Sequence, residues 1–202
     1  MKEITKPEDV RTLYGEPSDL VRKKVLPRLD KHCQHFICLS PFVVIASSDE
    51  TGADATPRGD APGFVAIVGD DRLLIPDRRG NNRIDTLLNI ARNPHVGLLF
   101  MVPGINESLR VNGIGRIVTD AAVLEPMTAQ GKVPTSALEV EVQEAFFHCG
   151  KAMIRSRLWQ EDAKVERKSF PSLGRIVADQ IAGIDADAAD KNLEEGYRTR
   201  LY

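Results

Sequence analysis

The chain has too few cysteines to be held together by disulfide bonds. Its 202 residues include three, Cys33, Cys38 and Cys149, and an odd number cannot pair completely. It also lacks an excess of either charge, since 27 Lys and Arg face 29 Asp and Glu. The net charge of -2 gives no general attraction to nucleic acid or to a membrane. Any anion must therefore bind in a local pocket.

Long apolar runs are missing as well. No run approaches the ~20 residues that a membrane-spanning helix needs, and the N-terminal segment MKEITKPEDV is charged from its second residue. We therefore expect a cytoplasmic protein without a signal peptide. H-E-x-x-H and Walker sequences are absent, and nothing indicates a Ser-His-Asp arrangement.

Short apolar runs separated by turn residues predict a mainly β fold with helical additions. Helices are expected at 6–15 and at 18–33, the second broken at Pro27. The polar segment 47–63 is expected to be a loop. Strands are expected at 42–46, 64–68, 73–75, 95–102, 109–118 and 138–146. About six strands, mostly linked as hairpins, favour a small antiparallel barrel.

This pattern divides the chain into three parts. Residues 1–35 form an N-terminal helical extension, residues 36–160 the barrel domain, and residues 161–202 a C-terminal helical tail packing on the barrel.

The segment LLIPDRRGNNRIDTLLNIARN (73–93) carries the strongest functional signal. It runs from a strand through a turn rich in arginine into a helix, whose first N–H groups and dipole favour an anion. The pattern predicts a helix with Asn82 as its N-cap, since Ile84, Leu87, Leu88 and Ala91 recur at helical spacing. An anion site at this turn competes with the interpretation of a solvated surface connection.

Two further groups could contribute to a site. Lys151 and Arg155, after His148 and Cys149, are spaced to share one face of a helix. Arg110 lies on a predicted strand, on the face opposite Leu109 and Val111. A solvated basic face is the alternative for both groups.

Four potential metal ligands lie within seven residues, namely His32, Cys33, His35 and Cys38. They are expected to straddle the end of a helix and the start of a strand. Structural zinc sites usually draw ligands from two separated segments, so packing explains this cluster better than metal binding.

In their order along the chain, the motifs FVVIA, PRGDAPGF, LLIPDRRGNNR, NPHVGLLF and LRVNG resemble the pyridoxamine 5'-phosphate oxidase superfamily. The resemblance covers roughly residues 30 to 160. It is strongest to a branch described as FMN-dependent proteins of unknown substrate. It implies a split β-barrel of Greek-key type that forms a homodimer with two FMN molecules at the subunit interface.

The same resemblance implies roles for individual residues. The turn from Arg79 to Arg83 is expected to bind the FMN phosphate, and Asp77 to border the flavin. Arg110 falls where relatives direct a polar side chain at the ring, and the segment from His148 to Arg155 corresponds to one that reaches the flavin of the opposite subunit. The full set of expected cofactor-binding residues is Arg58, Asp77, Arg78, Arg79, Asn81, Asn82, Arg83, Arg110, His148, Lys151 and Arg155.

Three functions remain open. The first is an FMN-dependent oxidoreductase that acts on a small organic molecule with NAD(P)H as electron donor. The second is a flavin-binding or haem-binding protein without turnover, and the third is a deazaflavin-dependent reductase. The C-terminal signature of true pyridoxamine 5'-phosphate oxidases is missing from the final residues KNLEEGYRTRLY, which argues against oxidation of the B6 vitamer.

Overall fold

The computed structural model describes residues 3–202, and its framework is one antiparallel sheet of seven strands. The strands are β1 (Phe42–Asp49), β2 (Gly52–Gly59), β3 (Ala66–Val68), β4 (Arg72–Pro76), β5 (His95–Met101), β6 (Ser108–Val118) and β7 (Ala137–His148). Their order across the sheet is β2-β1-β5-β6-β7-β4-β3. The expectation of a mainly β, antiparallel fold is confirmed, with seven strands in place of about six.

Helices lie at both ends of the chain and in its connections. They are α1 (Pro7–Tyr14), α2 (Asp19–Lys23), α3 (Lys31–Leu39), α4 (Asp85–Arg92), α5 (Ala121–Leu124), α6 (Lys151–Ser156), α7 (Leu173–Gln180) and α8 (Ala186–Thr199), with 3-10 turns at Glu125–Met127, Glu161–Ala163 and Arg167–Ser169. The predicted break at Pro27 is confirmed, because α2 ends before it and α3 begins after it. Within the described part of the chain, no helix is both long and apolar enough to cross a membrane.

The segment predicted as a loop at 47–63 contains β2, so that prediction was wrong. β2 pairs with β1 along its whole length. It is an edge strand, where Pro57 can be accommodated without a central ladder hydrogen bond. Its alternate side chains Asp54, Thr56 and Arg58 are half-buried and share one face. The sheet therefore presents three polar groups side by side.

The larger of two hydrophobic clusters joins α3 to the inner face of the sheet. Ile37 of α3 is fully buried, as are Phe100 of β5 and Leu109 of β6. The predicted alternation of β7 is confirmed, because Leu138, Val140 and Val142 are buried while Glu141 and Gln143 are exposed. This burial fixes which side of each strand faces outward.

The cluster of potential metal ligands lies entirely within α3, contrary to the expectation that it straddles a helix end and a strand. Cys33 points into the core, and burial raises the pKa of its thiol to about 12. A thiol that stays protonated is a poor metal ligand. Across residues 3–202, no three His, Cys, Asp or Glu side chains are arranged to hold a metal ion.

β6 and β7 form the longest pairing of the sheet, from Ser108↔His148 to Val118↔Ala137. A β-bulge shifts the register between Asn112 and Gly113. At Gly113 the two strands approach so closely that a Cβ atom would stand 2.2 Å from the backbone oxygen of Glu141. Glycine is required at this position to keep the strands together.

Only the N-terminal half of β7 pairs with β4, so the edge of its second half needs another partner. The connection between α2 and α3 supplies one. Leu26 exchanges two backbone hydrogen bonds with Ala145, at 3.0 and 2.8 Å, and Lys24 donates to the Phe147 carbonyl at 2.7 Å. The N-terminal segment is thereby tied to the sheet.

We expect Gly113→Ala to lower the free energy of unfolding by about 2 kcal/mol, because the added methyl group overpacks a contact between two backbones. Urea unfolding of both proteins measures the change. Gly52→Ala is the matched control, since no atom lies within 4 Å of the position of its added Cβ. Equal destabilisation by the two substitutions would contradict this account of the bulge.

Candidate functional site

A cavity of about 550 Å³, the first cavity, lies between β2, the end of β4 and the start of α4. Its volume is within the range of roughly 300–1,000 Å³ that is usual for small-molecule sites. Its lining includes the predicted site residues Arg58, Asp77, Arg78, Arg79, Asn81, Asn82 and Arg83. The structure therefore brings these seven residues together.

The turn from Asp77 to Ile84, the arginine turn, forms one wall of the first cavity. It leaves β4 with the Asp77 N–H donating to the Ser136 carbonyl at 2.9 Å. The expectation that Asn82 caps α4 was wrong, because Asn82 has a φ of 60° and the N-cap position falls at Ile84. The Asn81 side chain instead accepts a hydrogen bond from the Arg83 N–H at 3.1 Å. These asparagines shape the turn before the helix begins.

The buried face of α4 is not centred on the residues that give the helix its apolar spacing. Thr86 and Ile90 are buried, whereas Ile84 and Leu88 are exposed. The apolar spacing does not identify the buried face, because one of the buried residues of α4 is a threonine, Thr86. Its hydroxyl can be buried there because it has hydrogen-bond partners on β2.

Those partners form a chain of hydroxyl groups on β2. The Thr86 hydroxyl donates to Thr56 at 2.9 Å, and the Thr56 hydroxyl donates to Asp54 at 2.6 Å. The bond from Thr56 is the main reason why the pKa of Asp54 lies below its ordinary value. Asp54 is therefore ionised at neutral pH, and the chain fixes α4 against the wall of the first cavity.

Three of the four arginines that line the first cavity form ion pairs with carboxylates. Arg58 Nη2 lies 3.8 Å from Asp77 Oδ1, and Arg83 Nε lies 2.6 Å from Asp85 Oδ2. The bond to Asp85 raises the pKa of Arg83. The third, Arg78, donates to the Asp60 carboxylate and to the Met127 carbonyl, both at 2.7 Å. Arg78 thus ties the arginine turn to Asp60 and to the Met127 carbonyl.

Arg79 is different, because its side chain is exposed and forms no hydrogen bond or ion pair with any residue from 3 to 202. Among the same residues, the backbone N–H groups of Gly80, Asn81 and Asn82 have no acceptor. Gly80 also has open space where a Cβ atom would stand. A cation beside unpartnered N–H groups on an approachable backbone is suited to an anion.

Sequence reasoning missed Asp60 and Tyr202, which hold Arg78 in place. The Tyr202 hydroxyl donates to Asp60 at 2.6 Å, and the Arg78 guanidinium lies 5.9 Å from the centre of the Tyr202 ring. Burial favours a higher pKa for Asp60, but hydrogen bonds from Tyr202, the Ala61 N–H and Arg78 together lower the pKa below its usual value. No local signal links residues 142 positions apart.

The other predicted residues do not line this cavity. Arg110 and His148 lie at the opposite end of β6 and β7, and Lys151 and Arg155 are exposed on α6. Phe146 pairs with Arg110, and at about 3.3 Å per residue it stands roughly 30 Å along β7 from Ala137, which pairs with the end of β4. Measured along β7, the two groups are therefore far apart within one chain.

Arg110 and His148 belong to what we call the cation–aromatic cluster, with Lys24 and Phe146. The Phe146 ring centre lies 5.6 Å from the Arg110 guanidinium, 5.9 Å from Lys24 Nζ and 5.2 Å from the His148 ring. Burial is the largest cause that lowers the pKa of His148, followed by the charges of Lys24 and Arg110. His148 is therefore neutral at pH 7.

A family model described as Pyridoxamine 5'-phosphate oxidase matches residues 29–149, more than half of the chain. No curated protein matches the sequence. Among solved structures, HupZ of Group A Streptococcus is 19% identical over 59% of this chain and 93% of its own, with a TM-score of 0.49. An FAD binding protein from Mycobacterium smegmatis is 16% identical over 61% of this chain and 97% of its own, with a TM-score of 0.44. General Stress Protein 26 of Bacillus anthracis is 13% identical over 57% of this chain and 93% of its own, with a TM-score of 0.43.

We expect the pKa of His148 to rise in Arg110→Ala, because one of the two cations that disfavour its protonation is removed. Titration of the His148 ring signals by NMR measures the shift. Arg116→Ala is the matched control, since Arg116 lies on the same strand and is paired with Glu141. If both variants give the same pKa for His148, the charge of Arg110 does not act on this histidine.

Proposed function

Since the chain belongs to the pyridoxamine 5'-phosphate oxidase family, we propose that it binds FMN in the first cavity and is an FMN-dependent oxidoreductase acting on a small molecule. The observation that carries this proposal is Arg79, which has no partner beside a turn of unpartnered N–H groups. The FMN phosphate provides the oxygens that these donors lack. We assign the phosphate to Arg79 and the backbone from Gly80 to Asn82.

The charges of the first cavity fit a phosphate. Its lining has four arginines, at 58, 78, 79 and 83, and three aspartates, at 54, 77 and 85. Each aspartate has its own partner, and Arg78 is neutralised by Asp60 from outside the lining. Asp54 is bonded to hydroxyl groups, so Arg79 is the one arginine of this lining without a carboxylate partner among residues 3–202, and an anion gains most beside it.

The remaining lining suits the body of a flavin. Phe64 and Pro76 offer apolar surface, and Arg58 and Thr86 add polar groups at the β2 side. Pockets of this kind combine an apolar wall with a few placed polar groups. FMN, once bound, supplies hydride or electron transfer, and the protein positions it and its substrate.

A homodimer completes the proposed site. The cation–aromatic cluster suits a planar anionic ring, and along β7 it stands roughly 30 Å from the residue that pairs with the end of β4. A two-fold related copy can present the same cluster to the neighbouring cavity. Lys151 and Arg155, which follow on α6, would approach the flavin from the same direction.

The outer face of the sheet offers a surface for this dimer. Val44, Leu99, Arg110 and Phe146 are cross-strand partners in one row, and the three apolar members are only half-buried. Such a row on one side of the barrel can pack against its own symmetry copy. We propose that this face forms the subunit contact.

We expect purified protein to bind FMN and show the absorption bands of oxidised flavin, and Arg79→Ala to weaken binding at least tenfold because the unpaired cation is lost. Titration of flavin-free protein with FMN, followed by flavin fluorescence, measures the affinity. Arg175→Ala is the control, since Arg175 is exposed on α7 and pairs with Asp179. A colourless protein that does not take up FMN would contradict the proposal.

Turnover is tested on the same samples. Bleaching of the flavin bands by NADPH or NADH, with return of the bands in the presence of an electron acceptor, is the expected behaviour of an oxidoreductase. A loaded protein whose flavin is not reduced by either donor is a carrier, which would leave FMN binding intact and refute the enzymatic part of the proposal.

We expect light scattering to give twice the chain mass of 22.3 kDa, and Leu99→Glu to give monomers that bind FMN less tightly, since a buried charge opposes packing of this face. Val165→Glu is the matched control, because Val165 is 80% exposed. A stable monomer of the unmodified chain that binds FMN fully would refute the shared site.

A further inference from the structure

A second cavity of about 460 Å³ lies on the other side of the arginine turn. Asp77, Arg78, Arg79, Gly80, Asn82 and Ile84 line both cavities, so the turn is the wall between them. The opposite wall of the second cavity consists of the segment from Lys132 to Ser136 together with Tyr202. Its volume is also within the usual range for small-molecule sites.

The second cavity carries positive charge without compensation. Lys132 and Arg79 form no ion pair with any of the residues from 3 to 202, and both line the cavity. Its one lining side-chain carboxylate is Asp77, which is already engaged by Arg58. A ligand that enters this cavity is therefore favoured if it is an anion.

The rest of the lining is amphipathic. Leu87, Val133 and Pro134 are apolar, while the hydroxyls of Thr135 and Ser136 make no side-chain hydrogen bond within the described residues. Tyr202 adds an aromatic surface, and its hydroxyl is fixed by Asp60. A nucleotide matches this combination, because it has a planar base that packs on apolar and aromatic groups, a sugar with hydroxyls, and a phosphate.

We propose that the second cavity binds the adenylate half of a dinucleotide flavin, so that the chain holds FAD across the arginine turn. This inference rests on the proposed function, since it extends the flavin of the first cavity by one nucleotide. Arg79 and Gly80, which line both cavities, would hold the pyrophosphate, and the open space at Gly80 would let it approach the backbone closely. Lys132 stands on the adenylate side only, because it lines the second cavity and not the first.

The test compares FAD with FMN on flavin-free protein, by titration followed with flavin fluorescence. We expect FAD to bind at least tenfold more tightly than FMN. Lys132→Ala should remove most of that advantage and leave the affinity for FMN within twofold. Val133→Trp, which fills the second cavity from an exposed position, should weaken FAD selectively. Lys168→Ala, which lines neither cavity, is the control.

The outcomes separate this inference from the function on which it rests. If FMN binds but FAD binds no more tightly, or if Lys132→Ala and Val133→Trp weaken FMN and FAD alike, the adenylate site is refuted and FMN binding stands. If neither flavin binds, the proposed function fails and the adenylate site fails with it. Thermal unfolding of each variant shows that it is folded before its affinity is compared.

Discussion

The pairing of β6 with β7 is the constraint on which the rest of the structure depends. The two strands run side by side over their full length, and each end of the pair positions one group of polar residues. At one end Pro76 of β4 pairs with Ala137, which places the arginine turn beside α4. At the other end Arg110 pairs with Phe146, which builds the cation–aromatic cluster. Along β7 the two groups are therefore roughly 30 Å apart within a chain.

The four arginines that line the first cavity differ in whether a carboxylate is paired with them. Asp77, Asp85 and Asp60 are paired with Arg58, Arg83 and Arg78, respectively. Among residues 3–202, Arg79 has no such partner. An ion pair on the protein surface contributes little to stability, but here each pair also withholds a cation from the cavity. Which arginine is available is therefore decided by where the carboxylates stand.

The sequence predicted the features that depend on local patterns, and it failed where distant residues decide. Hydrophobic alternation identified β7 correctly, because one face is buried. β2 was missed because glycine, proline and aspartate disguise an edge strand whose only sequence signal is the alternation of Asp54, Thr56 and Arg58. The buried face of α4 does not follow from its apolar spacing, because Thr86 is buried there with its hydroxyl donating to Thr56 of β2. The contact of Tyr202 with Asp60 joins segments that no periodicity relates.

The backbone bonds of Leu26 with Ala145 have a consequence beyond anchoring the N-terminal segment. They cover the stretch of β7 that extends past the end of β4, where unpaired N–H and C=O groups would otherwise face solvent. An uncovered strand edge is a template for pairing with any other extended chain. The connection between α2 and α3 thus protects the monomer against strand-to-strand aggregation, a role that requires backbone geometry and leaves most of its side chains free to vary.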